Sequence, residues 1–226
     1  MPGPRDAAIV GLYTTKQTRG EGRSGFSHGL EALKGALAAA GLTIQDIEGL
    51  YVQLDEWPQS PSPSGYGSKA NWCYQLGIPL RWKTGAVNTA DSGAPAIIDA
   101  AAAIKTGKAD TVAIILGRGM TQPPDGRTAP WTRHGHESTR WAGSYIAVQF
   151  ALVASRHMAV YGTTPEQLAK AASTVRNYGH VNPQALMYDR GPYDVERVAN
   201  ARMIASLLTV LMCAQVNGGA GSHGFS

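Results

Sequence analysis

Along this chain, short runs of apolar residues alternate with segments in which apolar residues recur at helical spacing. Four apolar runs are typical of strands, and they lie at residues 7–13, 50–54, 82–87 and 109–117. Between the first two runs, Leu30, Leu33 and Leu37 share one face of a predicted helix that ends at Gly41. Strands that alternate with helices predict an α/β fold with right-handed crossovers.

The stretch from Gly85 to Gly117 contains one complete strand-turn-helix-strand unit. Its first strand ends near Asn88, and the polar turn Thr89-Ala90-Asp91-Ser92-Gly93 leads into an alanine-rich helix. We expect this helix to begin at Asp91 or Ser92, because both are good N-cap residues, and to end near Gly107. Its alanines recur about once per turn, so we expect a buried helix that approaches another backbone closely.

The region after the fourth strand is rich in glycine, proline and arginine. Residues 118–140 contain four arginines and two carboxylates: Arg118, Arg127, Arg133, Arg140, Asp125 and Glu137. Surplus arginine in loops suits a phosphate-bearing ligand such as coenzyme A, and a solvated surface loop is an equally good explanation. A long helix is predicted at residues 141–161, and Thr164, Pro165 and Gln167 predict the capped start of another helix.

Composition excludes several functional classes. The net charge is +4, but the basic residues are scattered, so nucleic acid is not an expected partner. No uninterrupted apolar stretch of membrane-spanning length occurs, and the first residues do not resemble a signal peptide. Cys73 and Cys213 are the only cysteines, and we expect both to be reduced and buried in a cytoplasmic protein.

Two short motifs favour other functions only weakly. Gly20, Gly22 and Gly25 match a dinucleotide fingerprint, but six polar residues separate them from the preceding strand, where a fingerprint begins directly. An NAD-dependent oxidoreductase is therefore a minor alternative. His134, His136 and Glu137 could suggest a metal site, but no further ligand follows them at a characteristic spacing, so no metal site is predicted.

The unit at residues 85–117 resembles the nucleophile region of thiolases. Its asparagine-ended strand, Ser92-Gly93 pair, alanine-rich helix and closing strand occur in the order found in that family. The resemblance places the family's nucleophilic cysteine two residues before the Ser-Gly pair, at Ala90. An alanine cannot form an acyl-enzyme.

Later landmarks resemble the sterol-carrier-protein, lipid-transfer-like branch of the thiolase superfamily. They are the helix start at Tyr161-Gly162-Thr163, the turn at Asn182-Pro183 and the apolar residues 204–214. Gly218 takes the place of an aspartate in the family's following turn. The resemblance covers about the N-terminal half of a thiolase, and it implies a layered α/β/α lobe with a mixed sheet, whose core is residues 1–117 and about 196–226. Residues 118–195 would form a helical loop region.

The resemblance implies a thiolase-like, acyl-CoA-handling protein of the acyltransferase superfamily without the nucleophilic cysteine. Relatives of this kind include aldolases that cleave steroid side chains and work with an OB-fold partner. We therefore expect a retro-aldol lyase subunit for CoA thioesters of lipids or steroids, which forms a homodimer and needs no cofactor besides the thioester. The alternative is a non-catalytic, truncated or partner-dependent subunit that binds acyl-CoA or lipid.

The residues expected to bind the thioester are Ser92, Gly93, Arg118 and Arg133. Asp91 is a weak candidate for a catalytic base, because a carboxylate at a helix N-cap is stabilised in its charged form and holds a proton poorly. Five tyrosine hydroxyls are available as alternatives, without a pattern that selects one: Tyr145, Tyr161, Tyr178, Tyr188 and Tyr193.

Overall fold

The computed structural model describes residues 6–19, 23–57, 69–85, 93–120, 146–214 and 219–225. The chain divides into two compact units, unit 1 with residues 1–123 and 217–226, and unit 2 with residues 124–216. Among the helices in these ranges, none is long and apolar enough to cross a membrane.

Unit 1 is a mixed five-stranded sheet with helices on both faces. In chain order its elements are β1 (Ile9–Thr14), α1 (Gly25–Ala40), a 3₁₀ turn (Ile44–Asp46), β2 (Gly49–Trp57), α2 (Lys69–Leu76), β3 (Trp82–Thr84), α3 (Gly93–Lys105), β4 (Val112–Met120) and the last strand of the chain, β7 (Gly219–Phe225). The strand order is β1-β7-β4-β2-β3. β2 is parallel to β3 and β4, and β7 is antiparallel to both of its neighbours. The predicted layered α/β/α fold with a mixed sheet is confirmed.

Two hydrophobic clusters fill the layers on either side of this sheet. Leu33 of α1 and Trp72 of α2 pack against Leu50 and Ile115 on one face. On the other face the alanines of α3 pack against Tyr51 of β2 and against Val112 and Ile114 of β4. Only one face of α3 is buried: Ala96 and Ala100 are fully buried, whereas Ile98 is 66% exposed, so the expected burial holds for the alanine face and not for the whole helix.

α3 also ends where the sequence predicts. Gly107 has φ of 70°, a left-handed conformation that glycine adopts without strain. The N–H of Lys108 donates to the carbonyl of Ala103 at 2.9 Å, which closes the helix end. α1 ends in the same way at Gly41, where φ is 69°.

The number of strands differs from the prediction. Four apolar runs predict four strands in this sheet, and no such run lies after Asn217, where the sequence is rich in glycine. In the structure these residues form β7, which pairs with β1 on one side and β4 on the other. The buried hydroxyl of Ser222 donates to the carbonyl of Ile114 at 2.8 Å. Close packing against both neighbours therefore outweighs the poor strand propensity of glycine.

Unit 2 consists of helices and one short hairpin. Its elements are α4 (Ile146–Tyr161), α5 (Pro165–Val181), α6 (Val195–Ala199), β5 (Met203–Ala205) and β6 (Leu208–Thr209). The predicted capping of α5 is confirmed, because the N–H of Gln167 donates to the hydroxyl of Thr164 at 3.3 Å and the Gln167 side chain accepts from the N–H of Thr164 at 2.9 Å. The described part of the predicted long helix begins at Ile146.

His223 carries a partly buried imidazole on β7, the strand between β1 and β4 in unit 1. It pairs with Leu12 of β1 and Ile114 of β4, and its Nδ1 atom has no hydrogen-bond partner among the residues described. Burial lowers the pKa of His223 below its ordinary value of 6.5. Folding therefore favours the neutral ring.

The approach of β4 to β7 predicts the effect of Gly117→Ala. A Cβ at Gly117 would lie 2.6 Å from the Cβ of Ala220, so one strand must move. We expect a loss of about 1–3 kcal/mol in the free energy of unfolding, measured by urea titration. Gly224→Ala is the matched control, because a Cβ there meets its nearest neighbour, Val10 Cγ2, at 3.6 Å. Equal stability of the two variants would contradict this packing.

The partly buried His223 predicts a pH dependence of stability. The unfolded chain protonates His223 near pH 6.5 and the folded chain only at lower pH, so the free energy of unfolding should fall as the pH drops from about 7 to 5. Urea titrations at pH 5, 6 and 7 should show a shallower pH slope for His223→Gln than for the native chain. An unchanged slope in His223→Gln would contradict the assignment.

Candidate functional site

The carboxyl ends of four strands define one edge of the sheet in unit 1, which we call the carboxyl edge. β2, β3 and β4 are parallel to one another, and β1 points the same way because both it and β4 are antiparallel to β7. α3 runs back from the end of β3 to the start of β4, so its N-terminus lies at this edge. Ligands of open α/β sheets bind at such an edge.

The structure brings two of the predicted site residues to the carboxyl edge. Gly93 is the first residue of α3, and a Cβ there would meet no atom within 4 Å. Arg118 lies near the end of β4, where its backbone pairs with Asp55 and Gly219. The remaining candidates lie outside the described residues: Ala90, Asp91, Ser92 and Arg133.

A cleft of about 240 Å³ opens at the carboxyl edge between β1 and β4. Its wall contains Thr14, Gln17, Leu116 and the glycines at the start of β7. Thr15 also lines the cleft, and two hydrogen bonds join it to β7. Its backbone N–H donates to the carbonyl of Ala220 at 2.8 Å, and its hydroxyl accepts from the N–H of Ala220 at 2.9 Å. Ligand pockets usually measure about 300–1,000 Å³, so this cleft alone holds only a fragment of a CoA thioester.

The helix end at the carboxyl edge favours negative charge. The N-terminal N–H groups of a helix carry about half a positive charge between them. No acidic residue lies in the first turn of α3, which begins at Gly93, and Asp91, the predicted N-cap carboxylate, lies outside the described residues. An anionic ligand atom placed at the N-terminus of α3 would be stabilised.

Two histidines of unit 1 were not singled out as site candidates from the sequence. His28 lies in the first turn of α1, and its side chain is only 1% exposed. Its only signal in the sequence is its spacing of four and five residues from Ala32 and Leu33, which places it on the buried face. His223 lies two residues along β7 from Gly221, the nearest residue that lines the cleft, or about 7 Å, and it is not itself among the lining residues.

Four of the five candidate tyrosines lie in the described part of unit 2. Tyr161, Tyr178 and Tyr188 are exposed. Tyr193 is buried between the guanidinium groups of Arg176 and Arg197, at 5.6 and 4.7 Å from its ring centre. Its surroundings indicate a structural role. Tyr145 lies outside the described residues.

The described residues give no indication of a reactive thiol at Cys213 or of a metal site. Burial raises the pKa of the Cys213 thiol, and the charge of Arg176 opposes that rise. A raised pKa leaves the thiol protonated and unreactive. The side chains within the described ranges form no group of three or more metal ligands. His134, His136 and Glu137 are outside those ranges.

Comparison with curated proteins identifies relatives of one kind. The chain is 27% identical over 234 residues to a steroid side-chain-cleaving aldolase of Thermomonospora curvata, covering 96% of the chain and 55% of the aldolase. It is 27% identical over 225 residues to the 17-hydroxy-3-oxo-4-pregnene-20-carboxyl-CoA lyase of Mycobacterium tuberculosis, covering 95% and 55%. An acetyl-CoA acetyltransferase of Methanothermobacter thermautotrophicus is 28% identical over 221 residues, covering 96% and 55%. No family model matches the chain.

Solved structures with the same fold agree with these relatives. The Ltp2-ChsH2(DUF35) aldolase superposes with a TM-score of 0.76 at 26% identity, over 98% of this chain and 56% of the aldolase chain. A monomeric SCP2-thiolase-like protein of Mycobacterium smegmatis has a TM-score of 0.69 at 20% identity, over 100% and 46%. The chain thus spans about half the length of the curated relatives it matches. Its homologues are thiolase-like proteins, its fold is a thiolase fold, and its coverage of them fits their N-terminal half.

Proposed function

We propose that this chain is a subunit of a thiolase-like lyase that cleaves a carbon–carbon bond in a CoA thioester by retro-aldol chemistry. The observation that carries the proposal is Ala90, at the position where thiolases have their nucleophilic cysteine, in a chain similar along 96% of its length to an aldolase. A methyl group cannot form an acyl-enzyme. A retro-aldol cleavage needs only an acid, a base and stabilisation of an enolate.

The substrate class follows from that reaction. A base removes the proton of a hydroxyl on the carbon β to the thioester carbonyl, and the oxygen forms a ketone as the bond between the α and β carbons breaks. The electron pair of that bond moves to the α carbon and is shared with the thioester oxygen as an enolate. Protonation of the α carbon then yields a shorter CoA thioester. No oxidant, reductant or cofactor is consumed.

The N-terminus of α3 is the element of this chain that suits the enolate. Its N–H groups and helix dipole face the carboxyl edge without a carboxylate in the first turn, and such groups stabilise an oxyanion in the transition state. Ser92 and Gly93 would contribute backbone N–H groups there. Arg118 and Arg133 would hold phosphate groups of coenzyme A.

A protein partner is part of the proposal. The similar Ltp2-ChsH2(DUF35) aldolase is named for two components, which supports our expectation of a protein partner. We propose a DUF35 protein in this role for the present chain. A homodimer and a cytoplasmic location remain predictions from the sequence.

Substrate cleavage provides the first test. We expect the chain, mixed with a DUF35 partner, to convert 17-hydroxy-3-oxo-4-pregnene-20-carboxyl-CoA into a ketone and a shorter CoA thioester, detected by liquid chromatography with mass spectrometry. In this compound the hydroxyl on carbon 17 is β to the thioester carbonyl carried by carbon 20, as the reaction requires.

The analogue without the 17-hydroxyl group is the control substrate, because it can bind but has no alkoxide to release. Binding of both compounds without cleavage, with or without the partner, would contradict the lyase and favour the non-catalytic acyl-CoA-binding subunit. Binding of neither compound would contradict both functions.

Arginine variants test the proposed thioester site separately. We expect Arg118→Ala and Arg133→Ala each to weaken binding of the 17-hydroxy thioester about tenfold, because a charge-assisted hydrogen bond contributes about 1.5–3 kcal/mol. Isothermal titration calorimetry measures the dissociation constants. Lys34→Ala removes one exposed positive charge of α1 and should leave binding unchanged. An equal loss in all three variants would indicate a general charge effect and no specific site.

A further inference from the structure

α3 covers only part of the sheet face on which it lies. It packs against Tyr51 of β2 and against Val112 and Ile114 of β4. Among the described helices of unit 1, the one that packs closely against β7 and β1 is α1, and it lies on the opposite face, where a Cβ at Gly11 would touch the carbonyl of Ala36. The uncovered face of β7 and β1, which we call the open strip, is about 10 Å wide, the diameter of a helix.

Large apolar side chains form part of the floor of the open strip. Leu12 pairs with His223, and His223 pairs with Ile114, which packs under α3, so these three side chains share the α3 face of the sheet. Ile9 pairs with Phe225, two residues along β7 from His223, and therefore lies on the same face. Leu12 is 57% exposed and Ile9 is 55% exposed. Adjacent apolar side chains of this size in water indicate an interaction surface.

The flank of α3 beside the open strip is also apolar. Asp99 lies on the flank toward β3, because it lines one groove together with Trp82. Ile97 and Ala101, two residues before and after Asp99, lie on the opposite flank, toward β7. Ile98 lies on the outer side of the helix and is 66% exposed. α3 thus presents an apolar flank and an apolar outer side next to an apolar strip.

One copy of the chain contains both halves of a possible contact. α3 has the width of the open strip beside it, so a two-fold arrangement can place the α3 of each copy in the open strip of the other. A single helix of another protein would fill the strip but leave Ile98 in water. Lys105 also lies on the outer side of α3, but it is the last residue of the helix, where its ammonium group can reach solvent.

We propose that two copies of this chain associate through α3 and the open strip. Ile98 of each copy would pack on Leu12 and Ile9 of the other, and the flanks that carry Ile97 and Ala101 would meet between the two sheets. The proposal names a surface for the homodimer that the sequence predicts. It does not depend on the proposed lyase activity, since no substrate or DUF35 partner takes part in the contact.

Sedimentation velocity of the full chain at a series of protein concentrations tests the proposal. We expect a reversible equilibrium between monomer and dimer. Ile98→Glu and Leu12→Glu should each raise the dimer dissociation constant about tenfold or more, because each would bury an unpaired charge in the contact. Tyr74→Glu is the matched control: Tyr74 is 85% exposed on α2, which packs on the other face of the sheet, and this variant should dimerise as the native chain does. Urea titration verifies that all three variants fold.

Photochemical cross-linking locates the contact independently. A benzophenone amino acid placed at position 98 of an isotope-labelled chain, mixed with unlabelled chain, should form cross-links between copies to residues 9–14. A monomer at every concentration, or equal weakening by Tyr74→Glu, would overturn the proposal. An intermolecular cross-link only to α2 or to unit 2 would show a dimer formed through another surface and would overturn it equally.

Discussion

The close packing of β7 between β1 and β4 is the constraint on which the rest of unit 1 depends. β7 is the only described strand that joins β1 to the parallel strands of the sheet. Small residues make this possible, since a Cβ at Gly117 would collide with Ala220 and the Ser222 hydroxyl bonds directly to the backbone of β4. Once β1 is held, its carboxyl end and those of β2, β3 and β4 share one edge. The N-terminus of α3 and Arg118 lie at that edge.

The sequence alone predicts the layered α/β/α arrangement of this fold but not the strand β7. Alanines at helical spacing identified the buried face of α3 but not its exposed face, and Gly41, Gly107 and Thr164 correctly marked helix ends, because these signals are local. β7 could not be recognised, because its stability arises from neighbours about a hundred and about two hundred residues earlier in the chain. Its own composition of glycine, serine and histidine is typical of a loop.

The same distinction applies to the candidate site. Ala90 was identified by resemblance to a family and the arginines by their surplus in the loop after the fourth strand, and Arg118 and Gly93 lie at the edge where open α/β sheets bind ligands. His28 has only a helical spacing that looks like core packing, so sequence reasoning did not single it out.

Intact-protein mass spectrometry during turnover tests the central claim most directly, that this chain handles a CoA thioester without a covalent acyl-enzyme. The chain and a DUF35 partner would be quenched in acid at intervals after addition of a β-hydroxyacyl-CoA. We expect retro-aldol cleavage, in which the mass of the chain stays unchanged while the ketone and the shorter thioester accumulate. An acyl group attached to the chain, removed on addition of free coenzyme A, would contradict it and indicate thiolase chemistry through another nucleophile.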